Sequence, residues 1–201
     1  MLKWKIVLAG AKDVGKSSLI ARFCDNIFNE EMMDTIGVAF KRKKISPEGK
    51  ISIDLNIWDF GGEERYRSLF PSYVNGAAGA LILYDITDEK SFEDVQNWVT
   101  IIDENQEGVV KMIIGTKADL EDQREISIEL AKEKSETFDL TGDPIETSAK
   151  TGKNVEEAFL RLAEEITKRK LQLCGACGEV YDKKLKFCRH CGEKSEMEVV
   201  L

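Results

Sequence analysis

Gly10-Ala11-Lys12-Asp13-Val14-Gly15-Lys16-Ser17 is the stretch whose reading decides the fold. It spells G-x-x-x-x-G-K-S. The apolar run Lys3–Ala9 precedes it at strand length, and Ser18–Phe23 follows with helical spacing. A strand–loop–helix of this kind aims several backbone N–H groups into one concavity, and the helix adds the positive end of its dipole. A triphosphate fits such a concavity, with Lys16 reaching its β and γ oxygens and the Ser17 hydroxyl holding Mg²⁺. The plain alternative is a Gly-rich turn with a chance lysine, and the rest of the chain speaks against it.

The 201 residues allow one ordinary domain plus something small. Hydrophobic residues at 42% and charged residues at 33% suit a globular chain with a real core. A net charge of −8 argues against a whole-protein nucleic-acid binder, which needs a broad basic surface. There is no apolar run of membrane-spanning length and no signal peptide before the first strand, so a cytoplasmic location with reduced thiols is expected.

Outward from the loop, strand-like and helical runs alternate. Strands are predicted near Lys3–Ala9, Val38–Ile45, Ile51–Trp58, Gly79–Tyr84, Val110–Gly115 and Asp143–Glu146. Helices are predicted near Lys16–Cys24, Glu64–Tyr73, Ser91–Asn105, Ser127–Thr137 and Asn154–Lys170. Ser46-Pro47-Glu48-Gly49 is a turn that makes strands two and three a hairpin. The remaining strands are separated by helix-length segments, which calls for right-handed parallel crossovers. The expected fold is therefore α/β: a doubly wound, six-stranded, mostly parallel sheet with one antiparallel edge strand. Ligands of such sheets sit at the carboxyl ends of the strands. Asp59, at the end of the third strand, can hold Mg²⁺ there, and Gly61-Gly62 lets backbone approach a phosphate.

Further stretches carry a resemblance. They are Thr35–Phe40, Trp58–Glu63, Arg65–Leu69, Gly76–Thr87, Lys117-Ala118-Asp119 and Ser148-Ala149-Lys150, in order after the phosphate loop. Over roughly residues 3–170 the chain resembles a small GTPase of the Ras superfamily, most like the Rab family. The resemblance implies a switch that binds GTP and GDP with Mg²⁺. It places Mg²⁺ on Ser17, Thr35 and Asp59, and makes Glu63, Gly62, Lys16 and Thr35 the catalytic candidates, with Lys16, Thr35 and the Gly62 N–H near the γ-phosphate. The nucleotide set it implies is Gly10, Asp13, Val14, Gly15, Lys16, Ser17, Ser18, Phe28, Thr35, Gly62, Thr116, Lys117, Asp119, Ser148, Ala149 and Lys150. Asp119 selects guanine by accepting two hydrogen bonds that adenine cannot offer, Lys117 lies over the base, and the Ala149 N–H meets O6. Loss of the γ-phosphate releases the loops around Ile27–Val38 and Asp59–Tyr73.

Five departures stand out. Glu63 replaces the glutamine that orients the attacking water; its charge beside an anionic centre predicts slow hydrolysis, or none without a partner. Lys12 stands where relatives carry a small residue, either leaning over the γ-phosphate or solvated. Phe60 and Met32 also differ from the usual residues, and Thr116 stands where the family usually has Asn, as in the Rho branch. Exchange factors, activating proteins and effectors are the implied partners, and a monomer is expected.

Cys174-Gly175-Ala176-Cys177-Gly178 and Cys188-Arg189-His190-Cys191-Gly192 are two C-x-x-C knuckles with ten residues between them. Each presents two thiolates from one turn, and together they close a tetrahedral S₄ site resembling a zinc ribbon; iron has a similar spacing, and His190 is surplus to the four. Cys24 reads as core. The expected organisation is a GTPase domain over 1–170, a ribbon over 171–194 and a tail over 195–201. The ending Met197–Leu201 is no prenylation signal, so no lipid anchor is expected, and membrane contact would come through a partner. Residues 168–194 hold eight basic and three acidic side chains; protein docking is expected there in preference to lipid or nucleic acid. Two other functions remain open: a GTP-bound binding module with negligible turnover, and a zinc-ribbon adaptor regulated by nucleotide.

Overall fold

The computed structural model describes residues 2–30, 35–47, 51–61 and 67–194. Six strands form one sheet: β1 (Leu2–Ala9), β2 (Val38–Ile45), β3 (Ile53–Phe60), β4 (Gly79–Asp85), β5 (Val110–Thr116) and β6 (Ile145–Glu146). Their order across the sheet is β2-β3-β1-β4-β5-β6. Only β2 runs antiparallel, paired with β3 from Val38↔Phe60 to Ile45↔Ile53. That is the hairpin and the edge strand expected from sequence, although Glu48 and Gly49 of its turn lie outside the described residues.

The helices are α1 (Lys16–Asp25), α2 (Phe70–Val74), α3 (Glu89–Glu93), α4 (Val95–Asn105), α5 (Ile128–Thr137) and α6 (Val155–Lys170). Period-two alternation along the buried strands divides the core. Ile6 and Leu8 of β1 and Leu81 and Leu83 of β4 face α1 and α6. Val7, Ala9, Ala80 and Ile82 face the other side, with Phe70, Val95, Trp98 and Ala131 from α2, α4 and α5. The stripe Val155, Ala158, Phe159, Leu162 and Ile166 is buried as its spacing requires. It reaches β4 at Gly79, where a Cβ would stand 2.7 Å from Ile166 Cδ1.

Besides the start of β3 at Ile53 in place of Ile51, three boundaries differ from the sequence reading. The helix predicted from Glu64 is described only as Phe70–Val74, begun by Pro71 in its first turn; Glu64, Arg65 and Tyr66 are outside the described residues. The long helix over 91–105 divides at Asp94, whose carboxylate takes Arg67 and Asn97. The last strand starts at Ile145 because Pro144 has no N–H for a ladder.

After α6 the chain passes without a linker into β7 (Leu171–Leu173), which pairs antiparallel with β8 (Val180–Asp182). Leu171 is buried in the same core cluster as Phe23 and Phe159, and Val180 packs against it. The Lys183 N–H donates to Lys170 O at 2.8 Å, closing the hairpin onto the helix end.

Candidate functional site

The turn between β1 and α1 is shaped by backbone that few residues tolerate. Gly10 has φ 149° and lies so close to β4 that a Cβ would stand 2.6 Å from Leu83 O. Asp13 and Gly15 also have positive φ, and Gly15 is the N-cap residue of α1. Val14 is buried beneath the turn. Lys16 is 6% exposed and its ammonium donates to Gly10 O at 2.8 Å and Ala11 O at 2.6 Å. Burial lowers its pKa to about 8, against the raising effect of Asp59, Asp13 and Asp94. A cation this poorly solvated gains strongly from an anion placed over the loop.

Three oxygens converge beside it. Ser17 Oγ donates to Asp59 Oδ2 at 2.5 Å and lies 2.7 Å from Thr35 Oγ1, which itself donates to Oδ2 at 3.1 Å. Asp59 Oδ1 is buried with no partner among the described residues. Burial raises the Asp59 pKa, partly offset by Ser17, Lys16 and Thr35. Two hydroxyls and a carboxylate with an orphaned oxygen are a fitting donor set for a hard cation. The Gly61 N–H donates to Gly37 O at 2.9 Å, so the loops after α1 and β3 meet just past these oxygens. Phe60, a departure without an account in the sequence, fills core against Phe70 and Tyr73, at 4.8 and 5.1 Å between centroids.

A cleft of ≈ 470 Å³ runs from this cluster to the loops after β5 and β6. Of the expected nucleotide residues its wall includes Asp13, Gly15, Lys16, Ser17, Ser18, Phe28, Thr35, Thr116, Lys117, Asp119, Ala149 and Lys150. Lys12 is exposed in the same wall. Ser148 is fully buried behind it and donates to Asp119 Oδ1 at 2.5 Å, aiming that carboxylate. Thr116 faces inward, its hydroxyl donating to Tyr84 O at 2.8 Å. Gly62, Glu63 and Met32 lie outside the described residues. Cys24 is half-buried at the margin of the core, less enclosed than expected.

Sequence reasoning missed the supports. Asp85, buried at the end of β4, pairs with Lys117 Nζ at 2.6 Å and takes the Thr87 N–H and hydroxyl on its other oxygen. Its signal was available: an acid closing an apolar strand, as Asp59 does. Arg22 donates from Nε to Ala149 O at 2.6 Å and from Nη2 to Lys150 O at 2.9 Å, and nothing local in the sequence marks it. Glu30 pairs with Lys150 at 2.8 Å, across the cleft between the loop after α1 and the loop after β6.

At the other end of the molecule the four cysteines come together. Their sulfurs all lie within 4.8 Å of one another, with Cys174 to Cys191 at 3.5 Å and Cys177 to Cys188 at 3.7 Å. Sulfurs about 2.3 Å from one tetrahedral ion stand about 3.8 Å apart, so the four are gathered closely enough to hold such a metal ion. The two knuckles repeat one design. Gly178 and Gly192 both have positive φ, and their N–H groups donate to Cys174 O and Cys188 O.

Compared with known proteins, residues 5–168 match the Ras family. The GTP-binding protein ypt2 of Schizosaccharomyces pombe is 44% identical over 172 residues, covering 83% of this chain and 82% of that protein. Ras-related protein Rab-13 of Canis lupus familiaris is 43% identical over 168 residues, 81% and 79% of the two chains. Ras-related protein Rab-8B of Homo sapiens is 42% identical over 164 residues, 81% and 78%.

Proposed function

Because this chain belongs to the Ras family and is a Rab-like GTPase, we propose that it is a slow, Mg²⁺-dependent GTP switch with a zinc-closed ribbon at its end. The observation that carries the reading is the Ser17–Thr35–Asp59 oxygen cluster, with its orphaned Asp59 oxygen, set beside the buried ammonium of Lys16. Bound there, Mg²⁺ would draw negative charge from the β and γ oxygens of the nucleotide.

The chain's own groups do the rest. Lys16 leaves the Gly10 and Ala11 carbonyls for phosphate oxygens, and the N–H groups of the turn from Asp13 to Ser18 hold the remaining charge. Thr35 ties the loop after α1 to the γ end, with Gly62 doing the same for the loop after β3. Asp119, aimed by Ser148, reads the guanine edge; Lys117, held by Asp85, lies along the base. Glu63 can accept a hydrogen bond from the attacking water but cannot donate to the γ oxygens as glutamine would, and its charge opposes further charge there. That makes hydrolysis slow and partner-dependent, and the GTP form long-lived.

The division into a GTPase domain over 1–170, a ribbon over 171–194 and a tail over 195–201 belongs to the same reading, with regulators and effectors as protein partners in the cytoplasm. Cys174, Cys177, Cys188 and Cys191 would hold the zinc, which supplies cross-linking and no chemistry.

The test is single-turnover hydrolysis of Mg²⁺-GTP by the wild type beside Glu63→Gln, with metal content measured on the same protein. Slow wild-type turnover that accelerates in the variant supports the proposal. Turnover that falls in the variant would show Glu63 acting as a working base instead.

A further inference from the structure

The segment between the two cysteine pairs holds an unusual surface. After β8 the chain turns sharply: the Lys184 N–H donates to Asp182 Oδ1 at 2.8 Å and the Leu185 N–H to Asp182 O at 3.0 Å. The turn puts two large apolar side chains in solvent, Leu185 at 41% and Phe187 at 56% exposure. Lys183, Lys184 and Lys186 alternate with them. The end of α6 adds Lys168, Arg169 and Lys170 alongside, since Lys183 Nζ donates to Lys168 O at 2.7 Å. Lys184 stands near enough to Lys170 to lower its pKa further, after desolvation by burial, with Asp182 opposing. Lys183, Lys168 and Arg169 each make one contact within the fold, to Lys168 O, Glu165 and Thr141, but gathering like charges around exposed apolar tips is not something the fold requires.

We propose that the turn Lys183–Phe187, together with the basic end of α6, docks this protein directly on an anionic lipid bilayer. Apolar tips among lysines are the composition of an interfacial anchor: the tips enter the boundary of the acyl chains and the ammoniums stay among headgroups. Lysine, a flexible point charge, suits a diffuse negative field rather than the fixed geometry of one phosphate. Nucleic acid is the poorer fit: Phe187 could stack on one base, but Leu185 beside it is aliphatic and suits acyl chains and not a base. A peptide would need a groove, and this is a convex turn. The molecule is also polarised. Residues 168–194 carry eight basic and three acidic side chains within a chain of net charge −8, so an anionic surface attracts this end and repels the rest.

The position agrees. Leu2–Lys5 at the start of β1 line one cleft with Lys170, Leu171 and Arg189. The phosphate loop begins where β1 ends, roughly 25 Å along the strand. Docking therefore leaves the nucleotide cleft and its loops turned away from the surface. This differs from the expectation from composition that the ribbon meets proteins and that membranes are reached through them. It rests on the reading of the four cysteines as one metal-closed module, which fixes the turn.

The test is flotation of the full chain with vesicles of phosphatidylcholine alone and of phosphatidylcholine with about one third phosphatidylserine. Zinc content and fluorescent GDP binding are measured on the same samples. The wild type is expected to float with anionic vesicles and not with neutral ones, and to be released by high salt. Lys183→Gln/Lys184→Gln/Lys186→Gln lowers partition on the order of a hundredfold, and Leu185→Ser/Phe187→Ser roughly tenfold. Both variants keep GDP binding. Failure to float, equal flotation with neutral vesicles, or unchanged partition in either variant overturns the proposal. Binding of oligonucleotides in place of vesicles also overturns it. Absent zinc would instead overturn the ribbon reading, and the vesicle result is scored in either case.

Discussion

Replacing Arg22 by alanine tests whether the guanine end of the cleft is held from a distance. Arg22 sits in the last turn of α1 and crosses to the loop after β6, donating to Ala149 O at 2.6 Å and Lys150 O at 2.9 Å. That loop closes on itself through Gly152 N–H to Ser148 O and Ser148 N–H to Lys153 O. Its ties to α1 are these two bonds and the exposed Lys150–Glu30 pair that follows the helix. A hydrogen bond from a charged donor is worth about 1.5–3 kcal/mol. The guanidinium is half-exposed and the freed carbonyls meet water, so about 1 kcal/mol each is the fitting figure. Two bonds then give roughly 2 kcal/mol, a factor of about 30. The loss should fall on binding rather than folding, because a loosened loop is ordered again only when Ala149 meets the base. Arg22→Ala should release fluorescent GDP 10- to 30-fold faster, by an order-of-magnitude argument from those energies, and Arg22→Lys, with one donor restored, should lie between on a logarithmic scale. An unchanged off-rate with a lowered melting temperature would refute the argument, because Arg22 would then serve only the fold.

Other outcomes follow from the same geometry. Gly10→Ala drives a Cβ against a strand carbonyl at 2.6 Å and should cost roughly 2–3 kcal/mol of stability in urea unfolding, along with nucleotide binding. Lys16 has a folded pKa of about 8, below its ordinary 10.5, so the unfolded chain binds the extra proton between those values and stability rises with pH there. Without nucleotide or Mg²⁺, wild type should gain roughly 1.5 kcal/mol from pH 8 to 9.5 relative to Lys16→Met, and a flat difference would contradict the burial argument. Leu171→Ala should lower stability by roughly 2–4 kcal/mol, because the side chain is buried in the GTPase core. Cys188→Ser should abolish zinc binding and lower the melting temperature, read by metal assay and calorimetry on one preparation.

What could be read from the sequence was whatever is written locally. The phosphate loop, the α6 stripe and the knuckle glycines each sit beside the residues they serve, so spacing alone exposed them. Asp59 was legible as a strand-end acid, and the β2–β3 hairpin as two strands about a turn. The third strand's true start at Ile53, two residues late, was not legible: Ile51 and Ile53 alternate equally well, and only pairing with Ile45 chooses between them. Arg22 escaped because its partner lies 127 residues away and it carries no motif of its own; Asp85, though it closes an apolar strand as Asp59 does, escaped because Lys117, more than 30 residues on, shows its role only in the fold. The division at Asp94 escaped because Arg67, which meets that carboxylate, comes from another loop.

The two ends of the molecule also explain each other. Parallel strands gather their carboxyl ends on one rim, and the residues proposed for the nucleotide and their supports stand there: Lys16 after β1, Asp59 in β3, Asp85 at the end of β4, Lys117 after β5 and Ser148 after β6. The opposite rim, where β1 begins and α6 ends, has no part in that chemistry and is free to take another module. A module on a flexible tether would leave Leu171 and Val180 in water. Instead both pack into the cluster that holds Leu19, Phe23 and Phe159 behind the phosphate loop. Zinc closing the knuckles, as proposed, would therefore add to the stability of the core on which that loop rests. On the proposed reading the ribbon is continuous with α6 and sets where the basic turn stands, at the rim opposite Thr35 and Gly61.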